Sequence, residues 1–331
     1  MRLLKSVLKR GALVAAANWQ VTLIQATADT LFKLLIAVPV IGGILLAMLV
    51  VGAEPRELIS LDWREMGLTI ARALLSHPVV LAAFLLAVGV VAVGGSLFIF
   101  LLKGGTVSVL VRGERDAGPI ELPPLHLDAI RRAARFSPEV YVEASRELFP
   151  RYARLGVILM AVYAASGAGY LASVFGIGLI GDRWGMAALA TAGFVVWITL
   201  VNLIYLLVQI AVAADDCSVA TASRRVAGFL RHERRRVAIT FLVVLGLVVL
   251  ATGASVLATA ALGLIAFVPF VGLAVLPLQL LAWIFRGIVF QFLGLASVGA
   301  YVNLYRSRVG DDAGAVVPDR ALHLEPNPRH S

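Results

Sequence analysis

The chain has 331 residues, a net charge of +9, 60% hydrophobic residues and only 15% charged ones, where water-soluble domains run at about half apolar and a quarter charged. A mean hydropathy of +0.92, with the apolar residues in runs of about twenty, excludes a water-soluble globule and makes lipid the solvent. The positive charge is then read by position: basic residues cluster beside the apolar runs, which points to a membrane surface and away from nucleic acid.

The N-terminal MRLLKSVLKR is basic, but Asn18, Gln20, Gln25 and Asp29 interrupt the apolar stretch behind it. Residues 1–30 are therefore expected to form an interfacial helix and a lead-in segment, and not a cleaved signal peptide. A hydrocarbon core of about 30 Å takes about 20 apolar residues at 1.5 Å each. Six stretches meet that length: 34–52, 79–102, 156–180, 187–214, 237–262 and 279–304. They define an expected membrane domain over 31–308, followed by a proline-containing polar tail, 309–331, expected to be disordered. The stretch 237–285 carries no charge at all and could hold a further crossing, but a seventh span would put Arg306 and Arg308 outside, so 263–278, broken by Pro269, Gly272 and Pro277, is expected to be an outer re-entrant or interfacial segment between the last two spans.

Arginine and lysine beside spans mark the cytoplasmic side. Of the 29 basic residues, only Arg56, Arg64, Arg72 and Arg183 fall opposite the N-terminal segment, the loops 103–155 and 215–236 and the tail, while Arg286 lies within a span. Both termini are accordingly expected in the cytoplasm. The preference for arginine over lysine, with abundant Ala, Val, Leu and Gly, suggests a bacterial source and hence the inner membrane. The expected fold class is all-α, with six transmembrane helices and amphipathic helices on the inner surface.

The two inner loops carry helical signals. Gly104 and Gly105 are expected to cap the second span, the alternative being a phosphate-binding loop over 103–115. Leu127, Ile130 and Ala134 oppose Arg131, Arg132 and Arg135 on a short amphipathic helix. Ser137, Pro138 and Glu139 read as the N-cap, first position and first-turn carboxylate of another, which Pro150 is expected to end or kink. In loop 215–236, Val219, Ala222, Val226, Phe229 and Leu230 share one face. These helices are expected to lie along the inner headgroups, with Arg224, Arg225, Arg234, Arg235 and Arg236 meeting anionic lipid. Together with the N-terminal helix they suggest three units, each a surface helix followed by a transmembrane hairpin; common juxtamembrane chemistry would produce the same pattern.

Within the spans, small residues recur every fourth position at Ala161, Ala165, Gly169 and Ser173 and again at Ala251, Ser255, Thr259 and Gly263, a pattern expected for close helix packing, with a substrate-lining stripe as its alternative. Arg286 has two readings. Either it snorkels or bonds carbonyls freed by Pro277, or it contacts an anion or lipid headgroup on a face shared with Gln279 and Ser297. Thr199, Asn202 and Gln209 form a second polar stripe, with Gln291 as an expected partner of Asn202. None of these residues is a carboxylate or histidine, which argues against ion-coupled transport. Sequence patterns for nucleotide-binding loops, zinc peptidases, serine hydrolases and paired-cysteine sites are missing, so no cofactor and no catalytic residue is assigned. The single cysteine, Cys217, cannot close a disulfide on its own chain.

The six-span layout, the Gly-Gly exit of the second span, Asn18 and Trp19 before the first, and above all AVAADDCSVATASRRVAGFLRHERRRVAITFLVVLGL (211–247) resemble a group of six-span bacterial proteins similar to the membrane domain of glycerophosphodiester phosphodiesterase. That resemblance implies a fold and no reaction, since the catalytic barrel of the phosphodiesterase has no counterpart here. Three functions are expected in descending order: a non-enzymatic scaffold or lipid-contacting component with partners in a membrane complex, a transport permease subunit docking a separate ATPase, and a lipid-headgroup enzyme.

Overall fold

The computed structural model of the chain describes residues 2–51, 65, 72, 75–122, 127–176, 184–266 and 271–315. These form eight α-helices: α1 (Arg2–Ala17), α2 (Trp19–Val51), α3 (Pro78–Asp116), α4 (Leu127–Ala133), α5 (Pro138–Leu171), α6 (Trp184–Asp215), α7 (Val219–Ala266) and α8 (Val271–Ala315), with a single π-helical turn, Ala172–Gly176, closing α5. Six of them, all but α1 and α4, are long and apolar enough to cross a membrane, so the chain is a polytopic all-α membrane protein. Arg56, Arg64 and Arg183, and the tail beyond residue 315, lie outside the described residues.

Local chemistry sets the helix starts. Ser137 Oγ accepts the Val140 amide at 3.2 Å with Pro138 in the first turn, and Ser218 Oγ accepts the Thr221 amide at 3.3 Å at the head of α7, each satisfying one of the amides a helix start leaves unpaired. Between α6 and α7 the chain turns through Asp216 at φ +46°, a left-handed position that aspartate tolerates better than most residues.

Several helices run further than the sequence pattern suggests. Gly104 and Gly105 are not a cap: α3 continues through them to Asp116, which removes the phosphate-binding loop as well. Pro150 sits inside an unbroken α5. The expected separate segment at 263–278 is divided between neighbouring helices, α7 running to Ala266 and α8 starting at Val271, with only 267–270 outside the described residues. The last span helix likewise extends into the expected tail, as far as Ala315. Within a span a backbone group has no water to bond, so the helix runs on through Pro277; near the end of α3, burial against neighbouring helices holds it through Gly104 and Gly105.

The spanning helices touch in chain order, α2 with α3, α3 with α5, α5 with α6, α6 with α7 and α7 with α8, and α8 returns to α2. The ring is drawn tight at one end, where α1, the last turns of α3, α6 and α8, the short α4 and the first turns of α5 and α7 meet. We call this the arginine-rich end. Its buried residues include Val14, Leu110, Tyr152, Ile210, Val226 and Tyr301. The amphipathic stretches of α5 and α7 turn their apolar faces to this protein core and not to headgroups: Tyr141, Leu148, Ala222, Val226 and Phe229 are all buried, and Phe229 meets Tyr305 edge-on at 5.6 Å. Toward the other end the helices are largely exposed to their surroundings, as expected where lipid competes equally well for apolar side chains.

Glycines mark the close approaches. A Cβ on Gly11 would stand 2.5 Å from the Ala300 amide nitrogen of α8, and one on Gly105 would stand 2.6 Å from the Tyr141 carbonyl oxygen of α5. By contrast Gly169, Gly253 and Gly263 have nothing within 4 Å of such an atom, so at Gly169 and Gly263 the four-residue ladders of the third and fifth spans do not form the close helix seam expected of them. Gly105→Ala should accordingly destabilise the protein by about 1–3 kcal/mol, since backbone must move, whereas Gly253→Ala should be neutral or stabilising by up to about 1 kcal/mol through helix propensity. Thermal unfolding in detergent separates the two, with a lowered midpoint for the first variant only.

Candidate functional site

Three groups of polar residues could carry function: a buried ionic knot and an exposed arginine face at the arginine-rich end, and polar side chains at membrane depth. The knot centres on Glu114, whose spacing from Val107 and Leu110 puts it on the buried face of α3. Arg10 Nε of α1 donates to Glu114 Oε1 at 2.6 Å and Asn303 Nδ2 of α8 donates to the same oxygen at 2.8 Å. Arg10 Nη1 reaches Glu121 Oε2 at 2.8 Å, and Lys9 Nζ bonds the Glu121 carbonyl at 2.8 Å. Burial works against the Arg10 charge, but the Glu114 and Glu121 carboxylates outweigh it and hold the guanidinium above its ordinary pKa. Beside it, Asn18 at the elbow between α1 and α2 is fully buried; its Nδ2 donates to the carbonyls of Val14 and Ala133, and its Oδ1 accepts the amides of Arg135 and Phe136. The knot and the Asn18 bridge hold structure, and neither is open to a ligand of any size.

On the outer side of α7, Arg224, Arg225, Arg231, Arg234, Arg235 and Arg236 are all exposed. Arg225 pairs with Asp215 at 2.5 Å, and that carboxylate also accepts the Tyr305 hydroxyl at 2.7 Å; Arg236 pairs with Glu233 at 3.4 Å. Among the described residues Arg224, Arg231, Arg234 and Arg235 have no ion-pair partner. Glu233 leaves helical geometry, at φ −105° and ψ 19°, so α7 bends just before its apolar run begins at Val237. Cys217 nearby is half-buried, and desolvation pushes its thiol above the ordinary range, which leaves it a weak nucleophile.

At membrane depth the polar residues separate by partner. Asn202 does not meet Gln291: its Oδ1 accepts the Tyr163 hydroxyl of α5 at 2.5 Å and its Nδ2 bonds the Ile198 carbonyl at 3.0 Å. The same α5–α6 seam holds Tyr170 to Thr191 at 2.7 Å, Trp197 to Ser166 at 2.9 Å, and Tyr170 stacked on Phe194. Gln209, seven residues after Asn202, is buried in the core of the arginine-rich end, where its carbonyl accepts the Tyr152 hydroxyl at 2.9 Å. Gln291 is half-buried on α8. Ser297 is spent on the Leu293 carbonyl at 2.7 Å and does not join Arg286.

Arg286 and Gln279 do come together, in an open groove of about 590 Å³ between α7 and α8. The α7 wall is the ladder Ala251, Ser255, Thr259 and Gly263 with Ala254 and Ala258; the α8 wall adds Trp283, Phe285, Val289 and Phe290. Arg286 is exposed, and its guanidinium stands 5.7 Å from the centre of the Phe290 ring. The candidate span begins nine residues before it, at Pro277, so at 1.5 Å per residue Arg286 lies about 13 Å from that end and about 30 Å from Arg306. An arginine within a span costs up to about 2.5–3.5 kcal/mol to insert, a cost that an anion in the groove would offset.

The Tyr163–Asn202 bond predicts a measurable coupling. A double-mutant cycle of Tyr163→Phe and Asn202→Ala, read as unfolding free energy in detergent, should return about 0.6 kcal/mol and at most about 1.7 kcal/mol. The corresponding cycle of Asn202→Ala with Gln291→Ala should return zero. Compared with known proteins, the chain matches no family model, no curated protein and no solved structure.

Proposed function

We propose that this membrane protein is a non-enzymatic component of the bacterial inner membrane, with both termini in the cytoplasm, that holds anionic lipid of the inner leaflet and serves as a platform in a membrane complex. The observation that carries this reading is the arginine face of α7. Arg224, Arg231, Arg234 and Arg235 are exposed and unpaired among the described residues, and they stand on the same helix that enters the apolar run at Val237. Each basic residue near an anionic surface contributes about 1 kcal/mol, so four together are a strong anchor for such lipid. The platform reading draws on the tight packing at this end, where an ionic knot and a buried core present one fixed surface.

A permease subunit would need a helix able to transmit motion from a separate ATPase. The stretch 219–236 joins the α7 span through the bend at Glu233, but its apolar face is buried in the chain's own core, which favours the platform over that alternative. The polar residues of the third and fourth spans are engaged in helix-to-helix bonds, which favours it over a lipid-headgroup enzyme. The resemblance in layout to the six-span relatives of the phosphodiesterase membrane domain fits the same reading.

The test is retention of phosphatidylglycerol by the purified protein in mild detergent, read by native mass spectrometry, for the wild type and for the variant Arg224→Gln, Arg231→Gln, Arg234→Gln, Arg235→Gln. The variant should lose most of the bound anionic lipid at unchanged thermal stability, since none of the four is paired among the described residues. Equal retention by both proteins, or equal retention of neutral lipid, would sink the proposal.

A further inference from the structure

We infer that the groove between α7 and α8 is a binding site for a single anionic phospholipid, whose phosphate pairs with Arg286 and whose acyl chain lies along the small-residue ladder of α7. The first argument is charge. Arg286 has neither an ion pair nor a hydrogen bond among the described residues, only the face of Phe290. The hairpin cannot supply a counter-ion of its own, because the chain carries no aspartate or glutamate between Glu233 and Asp311. A guanidinium at membrane depth pairs with an anion or pays the desolvation in full, so the negative charge has to arrive with the occupant. Arg286 lies nine residues inside the span that begins at Pro277, about 13 Å at 1.5 Å per residue, on the side where a lipid phosphate sits.

The second argument is shape. The groove is about 590 Å³, inside the range of roughly 300–1,000 Å³ found for small-molecule sites. Its α7 wall is built mostly of small residues, Ala251, Ala254, Ser255, Ala258, Thr259 and Gly263, with Leu262 the one large side chain. That suits an unbranched chain lying along the helix. The α8 wall carries Trp283, Phe285 and Phe290 around Arg286. Such bulk keeps another helix backbone at a distance, since close helix pairing needs small residues on both sides, but it does not obstruct a flexible lipid. The third argument is orientation. Side chains on a helix lean toward its N-terminus, so Arg286 leans toward Gln279, two turns earlier in the same groove, whose amide has no partner among the described residues and can donate to the same headgroup. This site is independent of the arginine face, from which it is separated by most of the α7 span, and it does not rest on the function proposed for that face.

The experiment uses the full chain reconstituted in phosphatidylcholine bilayers with a small fraction of phosphatidylglycerol carrying a photoreactive acyl chain, and maps cross-links by peptide mass spectrometry. In the wild type, phosphatidylglycerol should cross-link to 251–263 and 279–290 at least tenfold more than an equally labelled phosphatidylcholine. Arg286→Gln should remove that preference and Arg286→Lys should retain much of it. Ala258→Phe, which fills the groove and leaves the charge in place, should abolish the cross-links even if Arg286→Gln proves too unstable to reconstitute. The four-arginine variant of α7 should leave them unchanged, so failure of either proposal is distinguishable from failure of the other. A cross-link yield that is the same for both lipids, one indifferent to Arg286→Gln and Ala258→Phe, or a co-purifying membrane helix with a carboxylate cross-linked into the groove would each overturn the inference.

Discussion

Glu114 is a carboxylate taken out of water where three helices meet, and a buried charge of this kind is tolerated only while its partners are in place. Arg10 brings α1 to it and Asn303 brings α8, while Arg10 also reaches Glu121 beyond the end of α3. Removing one member of such a set commonly costs about 3–5 kcal/mol, because the charge left behind has no solvent. Helices α1, α3 and α8 are thus tied through one side chain. The close glycine contact of Gly11 with α8 and the four bonds of Asn18 are arranged around that tie.

The rest of the bundle follows from the difference between its two ends. At the arginine-rich end water is the competing solvent, so apolar faces are driven together and Tyr141, Leu148, Val226 and Phe229 are buried in protein. Between the spans the competing solvent is hydrocarbon, and apolar contact gains little. There the helices are joined by specific bonds, as Asn202 is to Tyr163, or they part and leave grooves lined by the small-residue ladders. The arginine face of α7 and the groove holding Arg286 both stem from this division. One is the solvated back of a helix whose front is buried, and the other is a charge placed where its own chain brings no partner.

Much of this architecture is legible in composition. Uncharged runs of about twenty residues allow little besides a membrane helix, and Ser137-Pro138-Glu139 marks the start of α5 where the cap forms. The residues of the knot were not found from the sequence because Arg10 and Glu114 look like ordinary juxtamembrane charges there. The one usable signal was an acid seven residues after Val107 on an apolar helical face. Helix ends differ from the local pattern as well: Gly104, Gly105 and Pro150 carry breaking signals that packing against neighbouring helices overrides, and Pro277 one that lipid overrides.

The sequence by itself determined that six helices lie in lipid, that charge is gathered toward one side of the chain's turns, and that Arg286 stands alone in an apolar run, because hydrophobic length and charge position are properties of the chain read in order. Only the tertiary structure decided which polar groups have partners. Asn202 and Arg286 have the same standing in the sequence, as polar residues at membrane depth, but one faces a tyrosine across a helix seam and the other faces an open groove. Partnership across helices depends on rotation and spacing, which are set by packing at the arginine-rich end and leave no trace in local composition.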